Sequence, residues 1–204
     1  PNAVAASGTY YIKGSNAAGC SDIKPVVVTI NPKPTVTITN PAATCAPGTV
    51  DITVAAVTAG STAGLTYTYF TDAAGTLTLA TPNAVAASGT YYIKGSTASG
   101  CSDIKPVVVT INPKPTVTIT NPAATCAPGT VDITLAAVTA GSTAGLTFTY
   151  FTDAAATLVL GTPNSVAASG TYYIKGTTAS GCSDIKPVVV TINPKPTVTI
   201  TNPA

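Results

Sequence analysis

The stretch Ser88-Gly89-Thr90-Tyr91-Tyr92-Ile93 occurs three times in this chain and reveals its repeats. The same six residues stand at 7–12 and at 169–174, so that neighbouring copies are 81 positions apart. The sequence around them repeats with the same shift, and residues 1–81 and 82–162 differ at only seven positions. Self-similarity at a fixed period of this kind indicates a tandem array. The fold of one 81-residue unit therefore has to be predicted first.

Alternation of apolar and polar residues predicts that each unit consists of short β-strands. Val50, Ile52 and Val54, for example, alternate with Asp51 and Thr53, and a period of two indicates a strand with one buried face. Clusters of Gly, Pro, Asn and Asp separate the candidate strands, and no helical stripe of useful length is present. The strand candidates of the clearest unit are 35–39, 50–54, 65–69, 76–80, 90–95 and 107–112. These six candidates, in a unit expected to contain about seven short strands, have the spacing of an all-β sandwich.

Paired prolines mark the ends of the unit, in Asn31-Pro32-Lys33-Pro34 and in Asn112-Pro113-Lys114-Pro115. Proline fixes φ and holds the preceding residue extended, so these segments are predicted to be short, semi-rigid linkers that make the array a semi-rigid rod. The predicted domain organisation is the C-terminal part of one repeat at 1–33, complete repeats at 34–114 and 115–195, and the first strand of a further repeat at 196–204.

Composition argues against several classes of function. The chain has nine lysines, seven aspartates and no histidine, for a net charge of +2, which gives no nucleic-acid footprint. Apolar stretches such as 106–109 are far shorter than the roughly 20 residues of a membrane helix. The aspartates of one unit, at 51, 72 and 103, are scattered, and Asp72 and Asp103 are expected to cap turns. We therefore expect no catalytic, cofactor or metal site, no nucleic-acid partner and no membrane insertion here.

The five cysteines, at positions 20, 45, 101, 126 and 182, alternate between a short and a long spacing, which leaves two pairings open. Cys45 could bond to Cys101 and Cys126 to Cys182, each within one unit, or Cys20 could bond to Cys45 across a linker. A strand, a linker and another strand carry the chain away between Cys20 and Cys45, whereas a disulfide needs Cα atoms about 4.4–6.8 Å apart. The predicted disulfides are therefore Cys45–Cys101 and Cys126–Cys182, with Cys20 bonded upstream of residue 1. Each loop would stabilise the fold by about 4 kcal/mol in the chain-entropy model.

The stretch from Ser88 to Ile93 resembles the start of the sixth strand of an immunoglobulin-type domain. In that strand the first tyrosine forms a corner by bonding its hydroxyl group to nearby backbone, and the resemblance implies such corners at Tyr10, Tyr91 and Tyr172. Ile93 stands where an antibody-type domain has a core cysteine, and the chain has no tryptophan. The predicted sandwich is therefore Ig-like but not antibody-like.

Aromatic residues on the other strand face are candidates for surface contact. The parity that places Tyr69 in the core places Phe70 and Tyr92 on the opposite face, together with their equivalents Phe151 and Tyr173. These rings could bind a sugar, pack beneath a loop or contact a neighbouring unit, and the sequence leaves the three alternatives open.

Four segments together resemble the Ig-like repeats of giant surface proteins of Bacteroidota: Cys45-Ala46-Pro47-Gly48, Gly64 to Phe70, Ser88 to Ile93 and Gly100-Cys101-Ser102-Asp103. The resemblance covers the whole chain. That family includes gliding-motility adhesins, which the type IX secretion system exports and which form long surface filaments. The resemblance implies an extracellular, cell-surface location and adhesion to surfaces or polysaccharide, with movement along the envelope in gliding cells.

The predicted function is a structural repeat region of a bacterial cell-surface filament or adhesin stalk. Two alternatives come from other classes: a repeated carbohydrate-binding module, in which weak sites add through effective concentration, and a self-assembling extracellular fibre or sheath built by pairing of edge strands. The predicted partners are neighbouring repeats of the same chain, surface polysaccharide, or other copies of the chain in a fibre.

Overall fold

The computed structural model describes residues 3–201, and its regular elements are short β-strands with one 3-10 turn. In chain order they are β1 Gly8–Ser15, β2 Ser21–Val28, β3 Thr44–Cys45, the 3-10 turn Ala55–Thr58, β4 Thr66–Phe70, β5 Gly89–Ser96, β6 Ser102–Val109, β7 Ile111–Asn112, β8 Thr125–Cys126, β9 Thr147–Phe151, β10 Gly170–Thr177, β11 Ser183–Val190 and β12 Ile192–Asn193. The predicted segments 1–33 and 196–204 extend at the two ends to residues outside the described range.

The chain divides into two compact units. Unit 1 consists of Pro1–Ala42, Asp51–Val85 and Gly89–Val109, and unit 2 consists of Ala43–Val50, Ala86–Ser88 and Thr110–Ala204. In the part of the chain that the structure describes, no helix has the length and hydrophobicity that crossing a membrane requires. The repeat boundaries at the Pro-rich linkers stay a prediction.

Unit 1 contains the hairpin β1–β2 and an antiparallel sheet in the order β4-β5-β6. Burial alternates along the central strand, since Ile93 and Gly95 are buried while Tyr92 and Lys94 are half-buried on the other face. In β6, Val107 and Val109 are buried at every second position. Burial of each such aliphatic side chain stabilises the fold by about 1.5–3 kcal/mol.

Unit 2 contains the equivalent sheet, in the order β11-β10-β9, and two short parallel pairs, β3 with β7 and β8 with β12. Tyr150 and Tyr172, the equivalents of Tyr69 and Tyr91, pack against its core, as strand parity predicted. The buried core residues are Val131, Ile133, Val138, Val166, Ile174, Val188 and Val190. The predicted all-β, Ig-like sandwich is confirmed.

The predicted strand at 35–39 forms no regular ladder, because side chains take the place of a strand partner. The N–H groups of Thr35 and Thr37 donate at 2.9 Å to the hydroxyl oxygens of Thr62 and Ser61, respectively. Side-chain acceptors of this kind compete with backbone pairing. Hydrophobic alternation reports the buried face of such a segment but not the identity of its hydrogen-bond partners.

A local turn ends the predicted strand at 50–54. The carboxylate of Asp51 accepts a hydrogen bond of 2.7 Å from the Thr53 N–H and one of 2.6 Å from the Thr53 hydroxyl. Ile52 is buried as predicted, but Val54 is 44% exposed. The segment 76–80 contributes a single bridge, Thr78 with Phe70, so the repeat 34–114 has five regular strands rather than about seven.

Burial in the β1–β2 hairpin differs sharply from that in its sequence equivalents. Ile12 is 66% exposed, whereas Ile93 and Ile174 are fully buried. Strands β5 and β10 each pair with a third strand, while β1 pairs with β2 alone among the described residues. The equivalent Ile174 is buried in one cluster with Val131, Ile133 and Val138, which come from the first half of its own copy.

Candidate functional site

Contacts that recur in both complete copies lie where each linker meets the following hairpin. We name residues 31–36 together with 101–105 the first linker site, and residues 112–117 together with 182–186 the second linker site. The first lies within unit 1 and the second within unit 2.

A buried carboxylate forms the centre of the first linker site. Lys33 Nζ lies 2.8 Å from Asp103 Oδ1, Lys105 Nζ lies 3.8 Å from Oδ2, and the Val36 N–H donates to Oδ2 at 3.2 Å. The Asp103 side chain is 8% exposed although it carries a charge, which requires pairing of this kind. The hydrogen bond from Lys33 is the main cause that holds the pKa of Asp103 below its usual value, and the Val36 N–H and Lys105 add to it against the effect of burial.

The second linker site repeats this arrangement. Lys114 Nζ lies 3.2 Å from Asp184 Oδ1, and the Val117 N–H donates to Oδ2 at 3.0 Å. Burial raises the pKa of Asp184, but the Val117 N–H and the ammonium groups of Lys114 and Lys186 together lower it more. In each copy one aspartate thus binds both the linker lysine and the backbone that follows the linker.

The two aspartates that were expected to cap turns have different roles. Asp72 does cap a turn, because its carboxylate accepts hydrogen bonds from the Leu77 and Thr76 N–H groups, and these lower its pKa. The expectation for Asp103 is wrong, since this residue lies in β6 on the core face, at the parity of Val107 and Val109. A charged residue at a core position of a strand was the sequence signal that could have revealed the site.

The structure corrects the predicted disulfides. Cys45 is bonded to Cys182, with Cα atoms 5.6 Å apart and a separation of 137 residues. The pairings Cys45–Cys101 and Cys126–Cys182 are therefore wrong, and Cys20, Cys101 and Cys126 have no disulfide partner within the described residues. The bond of Cys20 to a residue upstream of residue 1 stays a prediction.

Strand pairing explains the correction. Parallel pairing of β3 with β7 places Cys45 opposite Asn112, at the second linker site that also carries Cys182. Cys101 lies instead in unit 1, with its Sγ 3.7 Å from the carbonyl oxygen of Asn31. The predicted pairings lie within one repeat, whereas the bond that forms skips the two intervening cysteines, Cys101 and Cys126.

Tyr10 and Tyr172 form the hydrogen bonds of the predicted tyrosine corners. Their hydroxyl groups donate to the carbonyl oxygens four residues upstream, Tyr10 to Ala6 at 2.8 Å and Tyr172 to Ala168 at 3.1 Å. A Cβ atom added at Gly89 would lie 3.6 Å from Tyr91 Cε2, and one added at Gly170 would lie 3.6 Å from Tyr172 Cε2, so the two rings lie in equivalent positions.

The predicted exposure of Phe70 and Phe151 is wrong, since each is only 8% exposed. The segment after each ring folds back over the strand, with Phe70 bridged to Thr78 and Phe151 bridged to Val159. Tyr92 pairs across the sheet with Phe70, and Tyr173 pairs with Phe151, and both tyrosines are half-buried. Of the three alternatives, packing beneath a loop therefore holds for both phenylalanines.

Two polar side chains that the sequence pattern does not single out hold the segments around the linkers. The Ser88 hydroxyl accepts from the Ile111 N–H at 2.8 Å and donates to the Ile111 carbonyl at 3.0 Å. Asn40 Oδ1 accepts from the Val108 N–H on the free edge of β6 at 2.9 Å. Both contacts recur at the equivalent positions of the next copy.

The contacts at the linker sites attach chain segments to one another through ion pairs and hydrogen bonds. Shallow clefts of about 230 and 210 Å³ adjoin the first and second sites, each lined by two lysines and one aspartate. Within residues 3–201, no three Cys or Asp side chains converge to hold a metal ion.

Residues 33–113 match the protein-family model described as "Ig-like domain CHU_C associated". The matched range covers one copy of the repeat, and together with the sandwich it defines the class of this protein as one that contains Ig-like domains.

Several solved structures of immunoglobulin-domain proteins also match the chain. A three-Ig structure of titin, an E-to-A mutated variant, is 12% identical, with 93% of this chain and 75% of that chain covered and a TM-score of 0.42. The insect immune protein hemolin is 13% identical, with coverages of 91% and 56% and a TM-score of 0.35. Sidekick-1 immunoglobulin domains 1–4 are 11% identical, with coverages of 92% and 58% and a TM-score of 0.36. The chain thus spans little more than half the length of the latter two, and no curated protein matches it.

Proposed function

We propose that this chain is a structural repeat region of a long bacterial cell-surface filament or adhesin stalk. The observation that carries the proposal is the recurrence of one linker contact, in which a linker lysine pairs with an aspartate of the following hairpin. Lys33 pairs with the buried Asp103, and Lys114 pairs with the part-buried Asp184. A contact that holds the linker in each of two nearly identical copies favours a role that depends on the number of joined repeats.

The chemistry of the described residues favours a non-catalytic role outside the cytoplasm. The disulfide between Cys45 and Cys182 is of the kind that persists in oxidising, extracellular environments. Neighbouring repeats are the proposed partners within the chain, and surface polysaccharide or other copies of the chain are the proposed external partners.

Antibodies raised against the 204-residue chain test the proposed location. We expect them to label intact cells of the source bacterium, and we expect the label to be lost after brief treatment of intact cells with protease. Labelling that appears only after cell lysis would contradict the proposal. Strains that encode fewer copies of the repeat should display shorter filaments by electron microscopy, with an unrelated surface protein as the control.

The resemblance to Bacteroidota repeats supports a narrower proposal, namely export by the type IX secretion system and a part in gliding. Surface labelling in a strain without that secretion system tests the export route, and retained labelling would contradict it. Colony spreading after deletion of the gene tests gliding, and unchanged spreading would contradict that part alone.

A further inference from the structure

We propose that the disulfides of this protein join each repeat to the next in overlapping loops, so that a pulling force passes through the bonds instead of unfolding the repeats. The separation between Cys45 and Cys182 equals one full repeat period plus the spacing from Cys45 to Cys101, the two cysteines of one repeat. The bond therefore connects the first cysteine of one complete copy to the second cysteine of the following copy.

The same separation accounts for the cysteines that are not bonded. Cys126 is the equivalent of Cys45, and Cys20 and Cys101 are equivalents of Cys182. A position 137 residues after Cys126, or the same distance before either of the other two, falls outside residues 1–204. Cys45 and Cys182 form the one pair in this sequence that satisfies the rule, and this is the pair that is bonded.

The surroundings of Cys101 agree with the rule. Cys45 lies opposite Asn112 in the β3–β7 pair and is bonded to Cys182. Cys101, the equivalent of Cys182, has its Sγ 3.7 Å from the carbonyl oxygen of Asn31, the equivalent of Asn112. The thiol of Cys101 therefore faces Asn31, whose equivalent Asn112 pairs with Cys45, the disulfide partner of Cys182.

Each bond forms by thiol–disulfide exchange. Two thiols lose two protons and two electrons as their sulfur atoms join, and the electrons reduce the disulfide of an oxidising protein or small molecule, which leaves as two thiols. Such oxidants act outside the cytoplasm.

Successive loops overlap because the separation of 137 residues exceeds the length of one repeat. Every residue inside a longer array then lies within at least one loop. In this chain a force applied at the two ends crosses from Cys45 to Cys182 through the S–S bond, and the residues between them cannot be drawn out while the bond is intact. In this chain the protected length, fully extended, is about 450–490 Å.

Single-molecule pulling on the 204-residue chain, held at its two ends, tests the proposal. Without reductant we expect the unfolded chain to be about 450–490 Å shorter than with reductant, and we expect Cys45→Ser to remove this difference. Cys126→Ser is the matched control, because Cys126 is the equivalent of Cys45 in the next copy. Cys101→Ser is a second control. Each of these two single variants should extend like the unchanged chain.

The alternative pairing gives a different result. Bonds within each repeat would make Cys101→Ser and Cys126→Ser extend further than the unchanged chain, and this outcome would overturn the proposal. Equal extension with and without reductant would overturn it too. Peptide mapping of the non-reduced chain supplies a readout that does not depend on unfolding, and we expect Cys45 and Cys182 in one linked peptide pair.

A lengthened chain tests the rule for further repeats. A second copy of residues 124–204 placed after Ala204 puts a copy of Cys182 at the same distance from Cys126 that separates Cys45 from Cys182. We expect Cys126 to bond to that added cysteine while Cys45–Cys182 stays in place. A free Cys126 thiol, or a bond from Cys126 to the original Cys182, would overturn the overlapping pattern. Neither result depends on the cellular location, so this proposal and the proposed function fail separately.

Discussion

At the scale of single residues, the near-identical copies form a natural series of substitutions. Gly75 has a φ of 68°, and its equivalent Ala156 adopts a φ of 57° in the same turn. This left-handed conformation costs a residue with a Cβ atom roughly 1–2 kcal/mol. A methyl group on Gly75 would also lie 3.3 Å from Ile104 Cδ1. The second copy therefore carries a local cost that the first copy avoids.

We expect Ala156→Gly to raise the free energy of unfolding by about 1 kcal/mol, because glycine adopts this φ without steric cost. Urea denaturation measures the change. Gly75→Ala is the reciprocal variant and should lower the stability by a similar amount. A loss of stability in Ala156→Gly would contradict the prediction.

The linker aspartates should make stability depend on pH. The pKa values of Asp103 and Asp184 are lowered in the folded protein, so their contribution is fully present above the unfolded value of about 3.9. It is lost as the pH falls through the lower, folded pKa. We expect the free energy of unfolding to fall below about pH 4.

Asp103→Asn isolates the contribution of one carboxylate to this pH dependence. The asparagine cannot ionise, so the difference in stability between the unchanged chain and the variant should shrink from pH 6 to pH 3. Denaturation curves recorded at several pH values measure that difference. A difference that grows as the pH falls would contradict the assignment.

At the scale of elements, the periodicity identified two strands of the antiparallel sheet but not the short parallel pair of β3 with β7. Strands β4 and β5 agree with the predicted segments 65–69 and 90–95 to within one residue at each end. The predicted segment 107–112 is misplaced, because β6 begins at Ser102 and ends at Val109, and 111–112 belong to β7. The segment 35–39 forms no ladder, because the N–H groups of Thr35 and Thr37 donate to side chains. A period of two indicates which face is buried, and this information is the same for a ladder and for an irregular segment.

Close packing against β5 should make Gly95 intolerant of a side chain. A Cβ atom there would lie 2.7 Å from Leu65 Cδ1 and 2.8 Å from Val36 Cγ2, and overpacking of a core costs about 1–3 kcal/mol. We expect Gly95→Ala to lower the free energy of unfolding by that amount, as measured by urea denaturation. Gly14→Ala is the matched control in β1, where no atom lies within 4 Å of the added Cβ. Equal effects of the two variants would contradict this account.

At the scale of the whole molecule, the disulfide joins segments that are distant in sequence. Closing a loop of 137 residues stabilises the folded state by up to about 5 kcal/mol in the chain-entropy model. We expect Cys45→Ser to lower the free energy of unfolding by up to that amount under non-reducing conditions, and Cys126→Ser to leave it unchanged. Denaturation in the presence of reductant should abolish the difference in stability between Cys45→Ser and Cys126→Ser. A loss of stability in both variants under non-reducing conditions would reveal a stabilising bond at Cys126 and would contradict the prediction.

The sequence by itself determined the properties that depend on local geometry. The repeat period and the all-β class follow from spacing along the chain, and the buried Ile52 and Ile93 follow from side-chain parity along a strand. The corners at Tyr10 and Tyr172 follow from the resemblance of their strand to the sixth strand of an immunoglobulin-type domain.

Only the tertiary structure decided which distant groups meet. The partner of Cys45, the burial of Asp103 beside Lys33 and the covering of Phe70 each depend on a segment that the local pattern does not identify. In the disulfide the partners are 137 residues apart, and near-identical copies offer several cysteines in equivalent sequence contexts. Parallel pairing of β3 with β7 makes the choice, because it places Cys45 beside the linker that leads into the following copy.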